Sequence, residues 1–163
     1  MKWTGVAVVP LAAISTGAAA DSGLELRSRI VELEDVEAIR DLHMRLVRQF
    51  NAGTLDSRAR EMFAAAPQLE LADTVRRLDP ATDGDAIEVV RAADGLSATA
   101  RSRHLIRSET SLNPDCAIAE MAIAQGDGMI RSCETGWLVN TLLKQDDDKW
   151  KVKEARLMIK SPG

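Results

Sequence analysis

Two histidines are the side chains in this 163-residue sequence whose type and placement best suit proton transfer or ligand contact. His104 and Ile106 lie on one face of a predicted strand, and Arg103 and Arg107 lie on the other face. An imidazole turned inward on that strand could act as a base or contact a ligand. The alternative for His104 is a structural histidine held by hydrogen bonds.

The second histidine lies on a helical stripe. His43 precedes Val47, Phe50 and Asn51 by four, seven and eight positions, which places all four residues on one side of a helix. This stripe could line a pocket, although a partly exposed helical histidine is the preferred interpretation of His43. Asn51 could orient His104, or it could cap the end of the helix.

The composition excludes several classes of protein. There are 21 Lys and Arg residues against 25 Asp and Glu residues, without a basic run, so no nucleic-acid partner is expected. The absence of Tyr excludes mechanisms that need a phenolic hydroxyl. Aromatic side chains are few, so a pocket must be walled mainly by aliphatic residues. Trp137 is a candidate pocket residue, whereas Trp150 is expected to stabilise a hairpin.

The two cysteines do not predict a metal site. Neither a C-x-x-C nor an H-E-x-x-H spacing is present, so no metal and no cofactor is expected. A turn near residues 126–128 would place Cys116 opposite a residue near Leu138, so a disulfide to Cys133 would need an irregular loop. Buried free thiols are the preferred prediction.

Residues 1–20 have the order of a secretory signal. Lys2 precedes a short apolar run, and Ala18-Ala19-Ala20 ends the segment before Asp21. The apolar run is shorter than the roughly 18 to 20 residues of a membrane-spanning helix. We expect cleavage after Ala20 and export of a single domain, residues 21–163, to the periplasm or the medium. The alternative is a disordered N-terminal extension.

The elements that must position these residues begin with a helix. Apolar residues recur every three or four positions from Leu26 to Phe50, after a capping-box spacing at Ser22, and Asn51-Ala52-Gly53 ends the pattern. This predicts one long amphipathic helix. Weaker patterns predict helices over 55–66 and 85–93, a brief strand at 69–71 and a loop over 78–84.

The second half of the chain has the character of strands. Strands are predicted over 101–112, 117–125, 136–145 and 150–159, with a tight turn at residues 146–148. The apolar positions change parity between Val152 and Ala155, which predicts a β-bulge in the last strand. Helices followed by an antiparallel sheet indicate an α+β domain.

Four stretches of the sequence resemble the nuclear transport factor 2-like superfamily, in particular its SnoaL-like branch of polyketide cyclases and scytalone dehydratase-like proteins. They are DVEAIRDLHMRLVRQFNAG (35–53), REMFAAAPQLEL (60–71), SRHLIRS (102–108) and GWLVNTLLKQDDDKWKVKEAR (136–156). The resemblance implies a cystatin-like α+β roll, in which a strongly curved antiparallel sheet wraps around the long N-terminal helix. It also implies a cone whose open end admits a small molecule, and a homodimer.

The resemblance also bears on the site. His104 matches the catalytic histidine of the scytalone dehydratase-like branch, but Asn51 stands where that branch has the aspartate that pairs with it. An amide cannot supply the charge that stabilises an imidazolium. The ketosteroid isomerase template places its base at Leu71 and needs a tyrosine, so it is excluded.

These observations predict an exported protein that binds a small hydrophobic molecule with little or no catalysis. One alternative is a cofactor-independent lyase or isomerase with His104 as general base. Another is a structural or partner-binding domain. A homodimer is expected, and no stable membrane insertion of the mature chain is expected.

Overall fold

The computed structural model describes residues 17–55, 59–81, 86–115, 117–126 and 128–159. The chain divides into two compact units, Met1–Glu34 and Asp35–Gly163. The elements in chain order are helix α1 (Gly17–Asn51), a 3-10 turn (Arg60–Met62), strands β1 (Phe63–Glu70), β2 (Val75–Pro80), β3 (Glu88–Arg91) and β4 (Ser97–Ser111), helix α2 (Ala117–Ala124), and strands β5 (Met129–Lys144) and β6 (Trp150–Ile159). The predicted α+β class is confirmed.

Helix α1 confirms the prediction of one long helix. It ends at Asn51, and Gly53 follows with a φ of +66°, a left-handed conformation that suits glycine at a helix end. It extends back to Gly17, the first described residue, and so includes the alanines before the predicted start near Ser22, which are strong helix formers. The part of the predicted signal segment before residue 17 lies outside the described residues.

The apolar stripe of α1 differs between the two units. In Met1–Glu34 the apolar side chains of α1 are exposed, namely Leu24, Leu26, Ile30, Val31 and Leu33. In Asp35–Gly163 the stripe is buried and joins the hydrophobic core, through Ile39, Leu42, Leu46 and Val47. The three-to-four-residue repeat of apolar side chains in α1 therefore faces the core only from Ile39 onward. No helix in the described part of the chain is long and apolar enough to cross a bilayer.

The sheet has six strands in the order β1-β6-β5-β4-β2, and β3 also pairs with β4. It is mixed rather than wholly antiparallel, because β1 pairs with β6 in parallel, with Phe63 opposite Val152. All other pairings between the described strands are antiparallel. Strands β2 to β5 lie between β1 and β6 in the sequence, so no hairpin requires these two strands to be antiparallel.

The final hairpin was predicted most closely. Strand β6 has the predicted bounds, and the acidic turn before it places Asp148 at a φ of +64°. Leu142 pairs with Val152 and Thr141 pairs with Glu154, so Lys153 is the extra residue of the predicted bulge. Strands β4 and β5 begin earlier than predicted, at Ser97 and Met129.

Several weaker predictions were wrong. Where a helix was predicted over 55–66, residues 60–62 form a 3-10 turn and β1 follows, and where one was predicted over 85–93, residues 88–91 form β3. The loop predicted over 78–84 overlaps the last three residues of β2. In each case pairing with a neighbouring strand outweighed local propensity. Residues 56–58 and 82–85 of these segments lie outside the described residues. The strand over 117–125 is instead helix α2, whose eight residues include four alanines.

The earlier start of β5 also changes the environment of the cysteines. Cys133 pairs across the sheet with Arg107 and is a free, exposed thiol, so the prediction of a buried thiol was wrong for this residue. Cys116 lies outside the described residues.

Candidate functional site

The site is built on the second half of α1 and the two central strands. His43 is fully buried on α1, so the preferred prediction of a partly exposed histidine was wrong. Val47, one turn further along, is also buried, and Phe50 packs against the core. The helical stripe predicted from the sequence therefore faces the interior of the Asp35–Gly163 unit.

The register of β4 and β5 places three polar side chains on the inner face of the sheet. Ala100 pairs with Asn140, Ser102 with Leu138, and His104 with Gly136, so Ser102, His104 and Asn140 share one face. All three are buried, with Asn140 fully so. The face on which His104 was expected, together with Ile106, is confirmed.

Four side chains form one buried chain of hydrogen bonds. The Asn140 Nδ2 atom lies 2.8 Å from His43 Nδ1, His43 Nε2 lies 2.5 Å from Ser102 Oγ, and Ser102 Oγ lies 2.6 Å from His104 Nε2. We call this set, Asn140–His43–Ser102–His104, the polar chain. It connects α1 with both central strands through the core.

The donors and acceptors of the polar chain run in one direction. In the orientation that the structure gives the Asn140 amide, its nitrogen donates to His43 Nδ1, and a neutral His43 then carries its proton on Nε2. His43 Nε2 then donates to Ser102 Oγ, and the Ser102 hydroxyl donates to His104 Nε2. A neutral His104 consequently carries its proton on Nδ1.

Burial keeps both imidazoles neutral. Desolvation, with a smaller contribution from His104, lowers the pKa of His43 to about 4. Desolvation also lowers the pKa of His104, although the backbone and carboxylate of Asp79 act in the opposite direction. At neutral pH the polar chain therefore carries no charge.

The two ends of the polar chain lack partners of good geometry in the described part of the chain. These ends are the buried atoms His104 Nδ1 and Asn140 Oδ1. The Asp79 backbone is near enough to His104 to favour its protonated form, but it does not complete a well-formed hydrogen bond. His104 Nδ1 is thus a buried ring nitrogen without a well-formed hydrogen bond among the described residues.

The structure does not bring Asn51 or Trp137 to the polar chain. The Asn51 side chain donates to the Leu78 carbonyl and accepts from the Leu78 amide, both at 2.9 Å. It therefore fastens the end of α1 to β2. Trp137 lies on the opposite face of β5 from Asn140, with the Arg101 guanidinium 5.2 Å from its ring.

Ser102 and Asn140 were not among the predicted site residues. Ser102 could have been found, because it stands two positions before His104 and so shares its strand face. Asn140 also carried a signal, since it interrupts the apolar run from Leu138 to Leu143. Their pairing with His43, however, depends on sheet register, which the sequence patterns did not specify.

A second buried polar cluster surrounds Asp35. The Asp35 carboxylate accepts a hydrogen bond from Trp150 Nε1 at 2.9 Å and forms ion pairs with Lys144 at 3.0 Å and Arg91 at 2.9 Å. Burial alone raises the pKa of Asp35, but the Trp150 and Lys144 hydrogen bonds and the two cations outweigh it and lower this pKa. Asp35 is therefore a buried, charged residue of α1 rather than part of its exposed surface.

No three His, Cys, Asp or Glu side chains lie together as metal ligands within the ranges that the structure describes. The polar chain has amide, imidazole and hydroxyl groups, and its chemistry is that of neutral hydrogen bonding.

Comparison with known proteins identifies the fold. No protein-family model and no curated protein matches the chain. An NTF2-like protein with a cystatin-like fold from Novosphingobium aromaticivorans is 14% identical, with 85% of this chain and 90% of that chain covered and a TM-score of 0.55. A candidate dehydratase of the NTF2-like family from Streptomyces avermitilis is 10% identical, with 79% and 98% covered and a TM-score of 0.51. The chain thus has the nuclear transport factor 2-like fold, as the sequence resemblance implied.

Proposed function

We propose that the Asp35–Gly163 unit binds a small hydrophobic molecule that presents a hydrogen-bond acceptor to His104, with little or no catalysis. The observation that carries this proposal is the direction of the polar chain, which leaves the buried Nδ1–H of His104 without a well-formed bond among the described residues. A buried donor without a partner costs about 1 to 3 kcal/mol. A ligand carbonyl, ether or hydroxyl oxygen would recover that energy.

The surroundings of His104 support an apolar ligand. Its neighbours on the inner sheet face, Leu78, Ile106 and Leu138, are fully buried aliphatic side chains. Binding sites of this kind combine an apolar lining with few polar groups that orient the ligand. The NTF2-like fold of the chain is consistent with such a site, and the chemistry has to be argued from the residues.

The electrostatics of the polar chain argue against a strong general base. No carboxylate is hydrogen-bonded to either imidazole among the described residues, and burial lowers both pKa values. A histidine with a lowered pKa is a weak base. The polar chain is therefore better suited to binding a polar group of a ligand than to removing a proton from carbon.

A second candidate function, a cofactor-independent lyase or isomerase, depends on the orientation of Asn140. If the Asn140 side-chain amide were rotated by about 180°, His43 Nδ1–H would donate to Asn140 Oδ1. Every hydrogen bond in the polar chain would then reverse its direction. His104 Nδ1 would then have a free lone pair and could accept a substrate proton. His104 would then give its Nε2 proton to Ser102 as the Ser102 hydroxyl gives its own proton to His43 Nε2, so that His104 and Ser102 end neutral and His43 becomes the cation. The continuity of the polar chain is the observation that favours this candidate.

Nitrogen-15 NMR of the imidazoles distinguishes the two candidates. For the binding function we expect the proton on Nε2 of His43 and on Nδ1 of His104 at neutral pH. The opposite tautomers would favour the enzyme and overturn the proposed donor role of His104. Asn140→Asp is the control, because a carboxylate must accept from His43 Nδ1 and so enforces the reversed arrangement.

Ligand capture tests the function directly. The purified protein is analysed by native mass spectrometry for bound small molecules, and its affinity for Nile red, a neutral apolar dye with a carbonyl group, is measured by fluorescence. We expect His104→Leu to lose binding and His104→Asn to retain it, because the asparagine amide can replace the Nδ1 donor. Equal binding by the His104→Leu variant would contradict the role of His104.

We further propose that the protein is exported and dimeric. The signal pattern of residues 1–20 supports export, and mass spectrometry of the secreted chain should find an N-terminus at or near Asp21. A retained Met1 in the exported protein would contradict cleavage. Analytical ultracentrifugation should give twice the mass of residues 21–163, and a monomer at all concentrations would exclude the homodimer.

A further inference from the structure

A group of arginines lies on the face of the sheet opposite His104. Arg77 on β2, Arg107 on β4 and Arg131 on β5 share this outer face, and Arg76 adjoins them at a bulge in β2. All four line a cavity of about 460 Å³. A second cavity of about 430 Å³ is lined by Arg77, Arg107 and the carboxylate residue Asp79. We call this region the arginine cleft.

The arrangement of the cleft brings like charges together. Arg77 and Arg107 are directly opposite each other in the pairing of β2 with β4. Like charges at directly opposed positions on one sheet face destabilise the sheet. The juxtaposition of these two guanidiniums therefore requires negative charge on the same face of the sheet.

Two carboxylates neutralise only part of this charge. Asp79 accepts hydrogen bonds at 2.6 Å from Nε of Arg77 and from Nε of Arg107, and these bonds lower the pKa of Asp79. Glu109 lies 3.1 Å from Nε of Arg131 and 3.7 Å from Nε of Arg76. Among the described residues, these four guanidiniums thus share two carboxylates, which is an excess of two positive charges.

The terminal nitrogens of the guanidiniums keep donors for a ligand. The bonds of Arg77 and Arg107 to Asp79 use the inner Nε atom, and the bond of Arg131 to Glu109 does so too. The paired Nη donors match the oxygen atoms of a carboxylate or a phosphate. All of these side chains are more than half exposed, so an anion can reach them from solvent.

We propose that the arginine cleft binds a small organic dianion, either a phosphate monoester or a dicarboxylate, between Arg77 and Arg107. Two negative charges balance the excess of two positive charges, and the cavity volume suits a small molecule rather than a polymer. Cys133 lies directly across from Arg107 and lines the same cavity. A ligand bound in the cleft should therefore shield the exposed Cys133 thiol from reagents in solution.

The cleft is separate from the proposed hydrophobic site. The polar chain includes no residue that lines the cleft, although Asn51 at the end of α1, and Ser108 and Ser132 from the His104 face of the sheet, line the cavity as well. A failure of anion binding would leave the role of His104 untouched, and the converse also holds.

Calorimetric titration of the full chain tests the proposal. The probes are inorganic phosphate and succinate, with acetate as the monoanion, at mildly alkaline pH and low salt. We expect at least one dianion to bind, and affinity to fall as salt rises. Arg77→Gln and Arg107→Gln should each weaken binding by at least about tenfold. The matched control is Arg101→Gln, because Arg101 is similarly exposed and pairs with Glu88 outside the cleft.

A second measurement follows Cys133 in a Cys116→Ser background. Phosphate or succinate should slow the reaction of Cys133 with Ellman's reagent, and the Arg107→Gln change should abolish this protection. Preference for phosphate over succinate would identify a phosphate ester as the ligand class, and the reverse would identify a dicarboxylate. Absence of dianion binding, equal binding of acetate, or unchanged binding by Arg107→Gln would overturn the proposal.

Discussion

Ser102 joins two imidazoles through a single hydroxyl group. It accepts a hydrogen bond from His43 and donates one to His104, and all three side chains are buried. A group that serves as donor and acceptor at once cannot be replaced by a side chain with only one of these capacities. Ser102 therefore links the two imidazoles, whereas the orientation of the Asn140 amide sets the direction of the polar chain.

Ser102→Ala should lower the free energy of unfolding by about 1 to 3 kcal/mol, because it leaves two buried ring nitrogens without their partner. Urea unfolding at neutral pH measures this loss. Ser132→Ala is the control, since Ser132 is an exposed serine on the neighbouring strand, and its loss should stay within about 0.5 kcal/mol. Similar losses in both variants would show that the hydroxyl bridge does not stabilise the fold.

At the scale of elements, Asp35 connects α1 with the hairpin of β5 and β6. Its carboxylate contacts Lys144 and Trp150 on this hairpin and Arg91 on β3. Removal of one member of a buried ion pair is costly because the remaining charge is left uncompensated. The Asp35 cluster thus fixes where the helix lies on these strands.

Asp35→Asn should destabilise the protein by about 3 kcal/mol, because two largely buried cations lose their counter-charge while the Trp150 hydrogen bond can persist. Thermal and urea unfolding provide the measurement. Glu37→Gln removes an exposed ion pair with Arg40 and should cost less than about 1 kcal/mol. A loss for Asp35→Asn no larger than that of the control would refute the anchoring role.

The elements that the sequence predicted well have strong local signals. The apolar period of α1, the acidic turn before β6 and the parity switch at Lys153 each depend on residues close together in sequence, and each was confirmed. Strands β2 and β3 lack such signals, because their hydrogen-bond partners are residues of β4 further along the chain. The sequence likewise placed His104 on the correct face, but the partners of His43 follow from the register of β4 and β5.

At the scale of the whole molecule, the buried histidines make stability depend on pH. The pKa of His43 is about 4 in the folded protein and about 6.5 in an unfolded chain. Between these values the unfolded state binds the additional proton, so the free energy of unfolding falls as the pH is lowered. His104 acts in the same direction, because its pKa is also lowered.

We expect His43 alone to account for a loss of about 3 kcal/mol between pH 6.5 and pH 4. Urea unfolding across this range measures the loss. His43→Gln should reduce the slope of the profile above pH 4 to the part that His104 contributes, whereas the carboxylates Asp35 and Asp79, with lowered pKa values, affect stability at lower pH. A profile for His43→Gln as steep as that of the wild type would exclude His43 as the source.

The parallel pairing of β1 with β6 has a consequence for the order of folding. Phe63 and Val152 are direct partners although 89 positions separate them, whereas β5 and β6 meet through a tight turn. Contacts that close a long stretch of chain lose more entropy and form late. We therefore expect the β4–β5–β6 meander to assemble first and β1 to dock last, so that a growing chain cannot complete its sheet until residues beyond Val152 have been synthesised.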